Sequence, residues 1–314
     1  MNSMSRITRV ICLPLILGLL ASPAFAQEEE DAAERESRSQ KTKQAQAVSK
    51  EVYERIEKAQ EMVDAKDYSG ALRALNNLYN PDKLTEYEQS NVLNYIGFVY
   101  YNMDDIPNAM RTYDKMLAIP SLEETLRKNT TYTLAQLYTM QEDYPNALIT
   151  LDKWFQLETN PRPEAFILKA QNLYQVERYS DMIEPIQNAM RVAEERDKEI
   201  KEDWYVLLNF AYFQQEDYRQ VRDIQKIMLI NWPKKRYWFS LAGAYTELGE
   251  DENLINAYAA AFDQNMFEKE SEFVTMAQLY MQREVPYKAA VLLEAEMESG
   301  RVARSAKNYR LLSQ

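Results

Sequence analysis

The stretches AKDYSGAL (65–72), MDDIPNAM (103–110), QEDYPNAL (141–148), VERYSDMI (176–183) and QEDYRQVR (215–222) are variants of one eight-residue theme, returning every 35 to 39 residues. A near-constant period of that length marks a stack of helix–turn–helix units, each unable to bury its apolar face alone. Six residues before each theme stands a residue suited to a close helix crossing: Ala59, Gly97, Ala135, Ala170 and Asn209, with Ala242 and Ala277 continuing the series. Three residues after it comes a large side chain: Met62, Tyr100, Tyr138, Leu173, Tyr212, Tyr245 or Tyr280. An i, i+3 pair shares one face of a helix. Twelve residues on is a second small or apolar site (Ala71, Ala109, Ala147, Met182, Val221, Leu254, Ala289). Sixteen on is a bulkier one (Leu75, Tyr113, Leu151, Ile186, Gln225, Tyr258, Leu293).

The turns follow from the same alignment. Asp67, Asp105, Asp143 and Asp217 stand where a helix N-cap belongs, where a carboxylate accepts backbone N–H bonds. Pro107 and Pro145 fall in the first turn of the second helix, where a missing N–H costs nothing. Pro120, Pro233 and Asn80-Pro81 break the chain between units. Unit four departs with Met182 in place of Ala, and unit five puts polar Asn209 and Gln225 at apolar positions.

Composition agrees with an all-α chain. Six glycines in 314 residues are too few for a turn-rich β fold, and 46% hydrophobic residues are enough for a large core. The formal charge of −12 repels phosphate backbones and anionic lipid heads, so nucleic acid is not the expected partner.

Residues 1–26 read as a cleaved signal peptide: Arg6 and Arg9, an apolar run over 10–20, then Ala24-Phe25-Ala26. The run is too short for a stable membrane span, so export to the periplasm is expected. Residues 27–50 are charged and almost without large apolar groups, and read as a flexible stem. Residues 51–314 then hold the repeats. The last, over 304–314, opens an eighth first helix without a second, which predicts a native chain continuing beyond Gln314.

The small-x-x-Tyr step with a small residue twelve positions on resembles the tetratricopeptide repeat (TPR), with Ile96-Gly97-Phe98-Val99-Tyr100 and Leu241-Ala242-Gly243-Ala244-Tyr245 its clearest first helices. The resemblance implies a right-handed superhelical solenoid of about seven repeats whose first helices line a concave groove. The stretch over 232–297, WPKKRYWFSLAGAYTELGEDENLINAYAAAFDQNM and KESEFVTMAQLYMQREVPYKAAVLLEAEM, is similar to periplasmic TPR proteins of γ-proteobacteria encoded with the TonB–ExbB–ExbD system. That similarity implies TonB-type partners.

The residues offer no enzyme constellation. Histidine is absent, and the one cysteine, Cys12, lies in the leader. No phosphate loop and no GxSxG elbow occurs. No cofactor or metal is expected: the acidic pairs Asp104-Asp105, Glu142-Asp143 and Glu216-Asp217 recur at one repeat position, so turn formation and capping explain them. The expected function is a non-enzymatic scaffold that grips a protein segment. The alternatives are an envelope-assembly adaptor for cell-wall or lipoprotein machinery and, from another class, a helical-repeat carbohydrate-active enzyme, which needs paired acids facing a cavity.

By the resemblance, the groove positions are Asn91, Asn94, Phe98 and Tyr101 in unit two, Tyr132, Gln136 and Thr139 in unit three, and Ile167, Gln171 and Tyr174 in unit four. Val206, Phe210 and Phe213 follow in unit five, and Val274, Gln278 and Met281 in unit seven. This lining is amide, aromatic and aliphatic, suited to apolar side chains and a peptide backbone. It lacks the Lys and Arg with which some TPR proteins clamp a terminal carboxylate. Trp154 and Trp238 read as inter-repeat packing, and Lys234-Lys235-Arg236 as a solvated turn or a contact for an acidic partner.

Overall fold

The computed structural model describes residues 48–313. The expected leader and all but the last residues of the expected stem lie outside them. By contacts the chain divides into a unit up to Tyr53, of which 48–53 are described, and a unit over Glu54–Gln314. The described residues hold fifteen α-helices and no strand.

Seven helical hairpins follow in order: α1 (Lys50–Asp64) and α2 (Tyr68–Leu78); α3 (Glu86–Asn102) and α4 (Ile106–Leu117); α5 (Glu124–Met140) and α6 (Tyr144–Leu157); α7 (Pro163–Gln175) and α8 (Ile183–Glu195); α9 (Glu202–Gln214) and α10 (Tyr218–Asn231); α11 (Lys235–Leu248) and α12 (Asp251–Asp263); α13 (Glu270–Gln282) and α14 (Pro286–Glu298). A short α15 (Ala306–Leu312) packs on α14. From α2 onward each second helix packs against the first helix of the next hairpin, the serial nesting of a TPR-like solenoid.

One backbone device makes every hairpin. Lys66, Asp104, Glu142, Glu177, Glu216, Gly249 and Glu284 all have positive φ, between 57° and 67°. Each lies seven residues after the small position, so these turns repeat at the intervals of the sequence alignment. Each closes the first helix with a Schellman motif, as in Asp104 N to Tyr101 O at 3.0 Å and Asp105 N to Tyr100 O at 2.9 Å. The residue after the left-handed one then N-caps the second helix. Asp67, Asp105, Asp143 and Asp217 accept from the backbone N–H of Gly70, Asn108, Asn146 and Gln220. The acidic pairs are therefore a turn residue followed by a cap.

Units that lack the aspartate show the cost. Arg178 makes no side-chain cap, and a 3-10 turn over Tyr179–Met182 precedes α8. Glu250 and Val285 cap nothing with their side chains.

The crossing positions are buried as aligned. Ala59, Ala135, Ala170 and Ala277 have no exposed surface. Gly97 faces Tyr113, and a Cβ built on Gly97 would meet that ring at 2.7 Å. Unit five departs as its sequence foretold. Gln225 is 2% exposed, and Asn209 Oδ1 and Gln225 Oε1 are buried without a hydrogen-bond partner.

Polar ties one repeat apart link neighbouring hairpins. The Ser121 N–H donates to Glu86 at 3.0 Å, and the Asn308 side-chain amide donates to Glu270 at 2.7 Å. The basic cluster adds ion pairs to these ties. Lys234 and Arg236 pair with Glu202 at 2.5 and 2.6 Å, and Lys235 pairs with Glu272 and Glu268 at 2.9 and 3.0 Å. Its charges therefore serve units five, six and seven rather than a solvated turn.

Candidate functional site

The expected binding residues lie on four first helices: Asn91, Asn94, Phe98 and Tyr101 on α3, Tyr132 and Gln136 on α5, Gln171 and Tyr174 on α7, Phe210 and Phe213 on α9. Counted from the small crossing residue, Asn91 stands alone at −6 and the others occupy three columns at −3, +1 and +4. The structure separates these columns.

At −3, Asn94 is exposed but Tyr132, Ile167 and Val274 are buried. The Tyr132 ring packs on Trp154 with centroids 4.8 Å apart, and the Arg162 guanidinium sits 5.1 Å over it. Burial pushes its hydroxyl pKa up. Tyr132 thus belongs to the core between units three and four. The helical period put it on the inward face; the bulk of Trp154 one helix away draws it under the surface.

The +1 and +4 columns stay at the surface. Phe98, Gln136, Gln171 and Phe210 are half-buried, and Gly243 and Gln278 are exposed. Beside them run Tyr101, Thr139, Tyr174 and Met281, half-buried, with Phe213 and Thr246 exposed. None of these twelve positions is charged, in a chain where 27% of residues are charged.

Some of these residues are brought together across repeats. Tyr174 of α7 meets Phe210 of α9 with centroids 5.1 Å apart. Tyr179, which the groove positions omit, completes a triangle at 5.9 Å from Tyr174 and 5.1 Å from Phe210. Phe213 lies edge-on to Tyr218 at 6.1 Å. Tyr179 and Tyr218 share the fourth place of the eight-residue theme, so the signal was in the sequence. Edge-to-face rings at these distances hold one another in place, which gives the surface a rigid aromatic patch. Between α5 and α7, Thr139 Oγ1 donates to the fully buried Asn172 Oδ1 at 3.1 Å. Asn91, by contrast, donates to the Tyr87 carbonyl of its own helix at 2.9 Å.

Among the described residues, no group of three or more acidic side chains is placed to hold a metal ion, and no helix is long and apolar enough to cross a membrane. A polar recess between α2, α3 and α4 is lined by Tyr79, Tyr100, Arg111 and Lys115 among others. A second recess of about 160 Å³ lies beside Phe213 and Gly243.

No family model matches the chain, and no curated protein matches it. Solved structures do. A tetratricopeptide repeat protein from Parabacteroides merdae is 15% identical over 84% of this chain and 98% of its own, with a TM-score of 0.46. MamA from Desulfovibrio magneticus is 17% identical over 58% of this chain and 96% of its own, with a TM-score of 0.46. The Naa15/Naa10 complex bound to HypK is 12% identical over 72% of this chain, with a TM-score of 0.50, and this chain spans about a third of that structure's length. These similarities are of fold: an all-α, TPR-like repeat.

Proposed function

We propose that the chain is a non-enzymatic scaffold that holds a segment of another protein on the face formed by its first helices. The observation that carries this is the pair of uncharged columns, +1 and +4, continuous from unit two to unit seven. A solvated helix face in an acidic chain carries charge. A row of aromatic, amide and small residues instead suits a partner's apolar side chains, with Gln136 and Gln171 available to its backbone. The similar solved structures support the reading at the level of fold.

The leader pattern over 1–26 supports a finer form: the scaffold works in the periplasm. The similarity over 232–297 supports TonB–ExbB–ExbD components as the partners to try first. A stack with no convergent acid pair on this face gives no support to sugar hydrolysis.

The test is Phe98→Ala with Tyr101→Ala. Both residues are half-buried, so the melting temperature falls by no more than about 4 °C, the shift that ~1 kcal/mol produces in a chain of this size. Capture of the partner from periplasmic extract is lost. Unchanged capture by the folded double variant refutes the surface.

A further inference from the structure

Gly243 sits in mid-helix on α11, where glycine weakens a helix relative to alanine. Neither packing nor backbone geometry asks for it. Its φ is not positive, and a Cβ there would meet nothing within 4 Å. A mid-helix glycine under open space admits the close approach of another group. The space above it is the recess of about 160 Å³ whose floor is Val221 and Ala244 and whose wall is Phe213 and Tyr218. Phe213 is 52% exposed although it is a phenylalanine.

The rim is acidic. Glu247 lies one turn beyond Gly243 on the same face and lines the recess. Glu216 is held at the left-handed turn position beside Tyr218. Burial, and then the carboxylates of Glu247 and Glu216, push the Tyr218 hydroxyl pKa up. Neither glutamate forms a salt bridge among the described residues.

We propose that this recess receives an arginine side chain from the partner segment. An aliphatic stem fits against the buried Val221 and Ala244, and a planar guanidinium stacks on the exposed ring of Phe213, which Tyr218 holds edge-on. Glu247 and Glu216 supply the countercharge at the mouth. Charge complementarity selects this occupant over an aliphatic one, because an aliphatic side chain would cover two carboxylates without compensating them. The inference rests on the first-helix face being the partner surface, since Gly243 and Phe213 stand in its +1 and +4 columns.

The test is a titration of the full chain with N-acetyl-arginine amide, followed by the backbone amide resonances of Gly243 and Phe213. N-acetyl-norleucine amide serves as the apolar control. The expected result is a saturable shift with the arginine compound alone. Glu247→Gln weakens it about two- to fivefold, the range for one solvent-touching ion pair, and Gly243→Leu abolishes it by filling the space. Should Gly243→Leu fail to fold, Phe213→Ala, at a largely exposed position, tests the stacking in its place. Equal shifts with the norleucine compound, or shifts that survive both substitutions, overturn the inference. Partner capture separates it from the wider reading. If Gly243→Leu and Phe213→Ala capture the partner normally while Phe98→Ala with Tyr101→Ala does not, the surface stands and the arginine recess falls. If the arginine compound binds but no first-helix substitution alters capture, the surface falls instead.

Discussion

Gly97 and Tyr113 form a matched pair whose coupling is open to measurement. Units one, three and seven solve the same crossing with alanine against leucine: Ala59 with Leu75, Ala135 with Leu151, Ala277 with Leu293. Unit two uses no side chain against a ring. A methyl added at Gly97 would sit 2.7 Å from two ring carbons of Tyr113, and that ring is 4% exposed among Leu93, Ile106 and Met116, with little room to retreat. Gly97→Ala gains ~1 kcal/mol of helix propensity and loses ~1–3 kcal/mol to overpacking, a net loss of ~0–2 kcal/mol. Tyr113→Leu alone leaves a void above the glycine and costs ~1–3 kcal/mol, below the range for full truncation of a buried aromatic. Together they rebuild the Ala–Leu crossing. The clash disappears, the methyl fills part of the void and the propensity gain is expressed. The double variant is therefore more stable than the sum of the singles by ~1–3 kcal/mol, a coupling in the range for contacting residues. Urea unfolding followed by far-ultraviolet circular dichroism, with equal m-values across the four proteins, reads it out. Additivity within ~0.5 kcal/mol refutes the reasoning.

Other consequences follow from the turns and ties. Val285→Asp places a cap where four sister units have one, and raises stability by ~1 kcal/mol in the same assay; no gain means the turn of unit seven differs from its sisters. Asn209→Ala with Gln225→Leu removes two buried acceptors that lack partners, each costing ~1–3 kcal/mol, and raises the midpoint; a fall shows that the amides are satisfied. Glu202 is held at a pKa of about 2, chiefly by its hydrogen bonds to Lys234 and Tyr237. A folded pKa below the unfolded value of ~4.3 gives stability that is present above that pH and lost as pH falls toward 2. Glu202→Gln therefore flattens stability against pH between ~4.3 and 2, and an unchanged acid slope contradicts the tie.

Much of the fold was legible because each unit repeats one solution. The crossing residues, the large residue three on and the aspartate caps lie at fixed offsets, so one alignment located every hairpin. The left-handed turn residue was harder to see: six of its seven occupants are Lys, Asp or Glu rather than the Gly that such a backbone favours. The surface was half legible. Period alone puts Tyr132 and Phe98 on one face, but depth depends on the neighbouring helix. Trp154 buries Tyr132, and no such bulk covers Phe98. Tyr218 starts a second helix and Tyr179 the 3-10 turn before one, so a list drawn from first helices misses them although they meet Phe213 and Phe210 edge-to-face. The Lys234–Arg236 network was not legible, because its partner carboxylates lie about a repeat away in either direction.

The central claim is that partner contact belongs to the first-helix face and not to the second helices, which also expose apolar side chains, among them Ile149 and Ile230. Photo-crosslinking in intact cells, with a benzophenone side chain placed in turn at Phe98, Phe210, Ile149 and Ile230, compares the two faces directly. A discrete adduct from the Phe98 and Phe210 positions, with none from Ile149 and Ile230, is the predicted result. Adducts from the second-helix positions alone contradict the account.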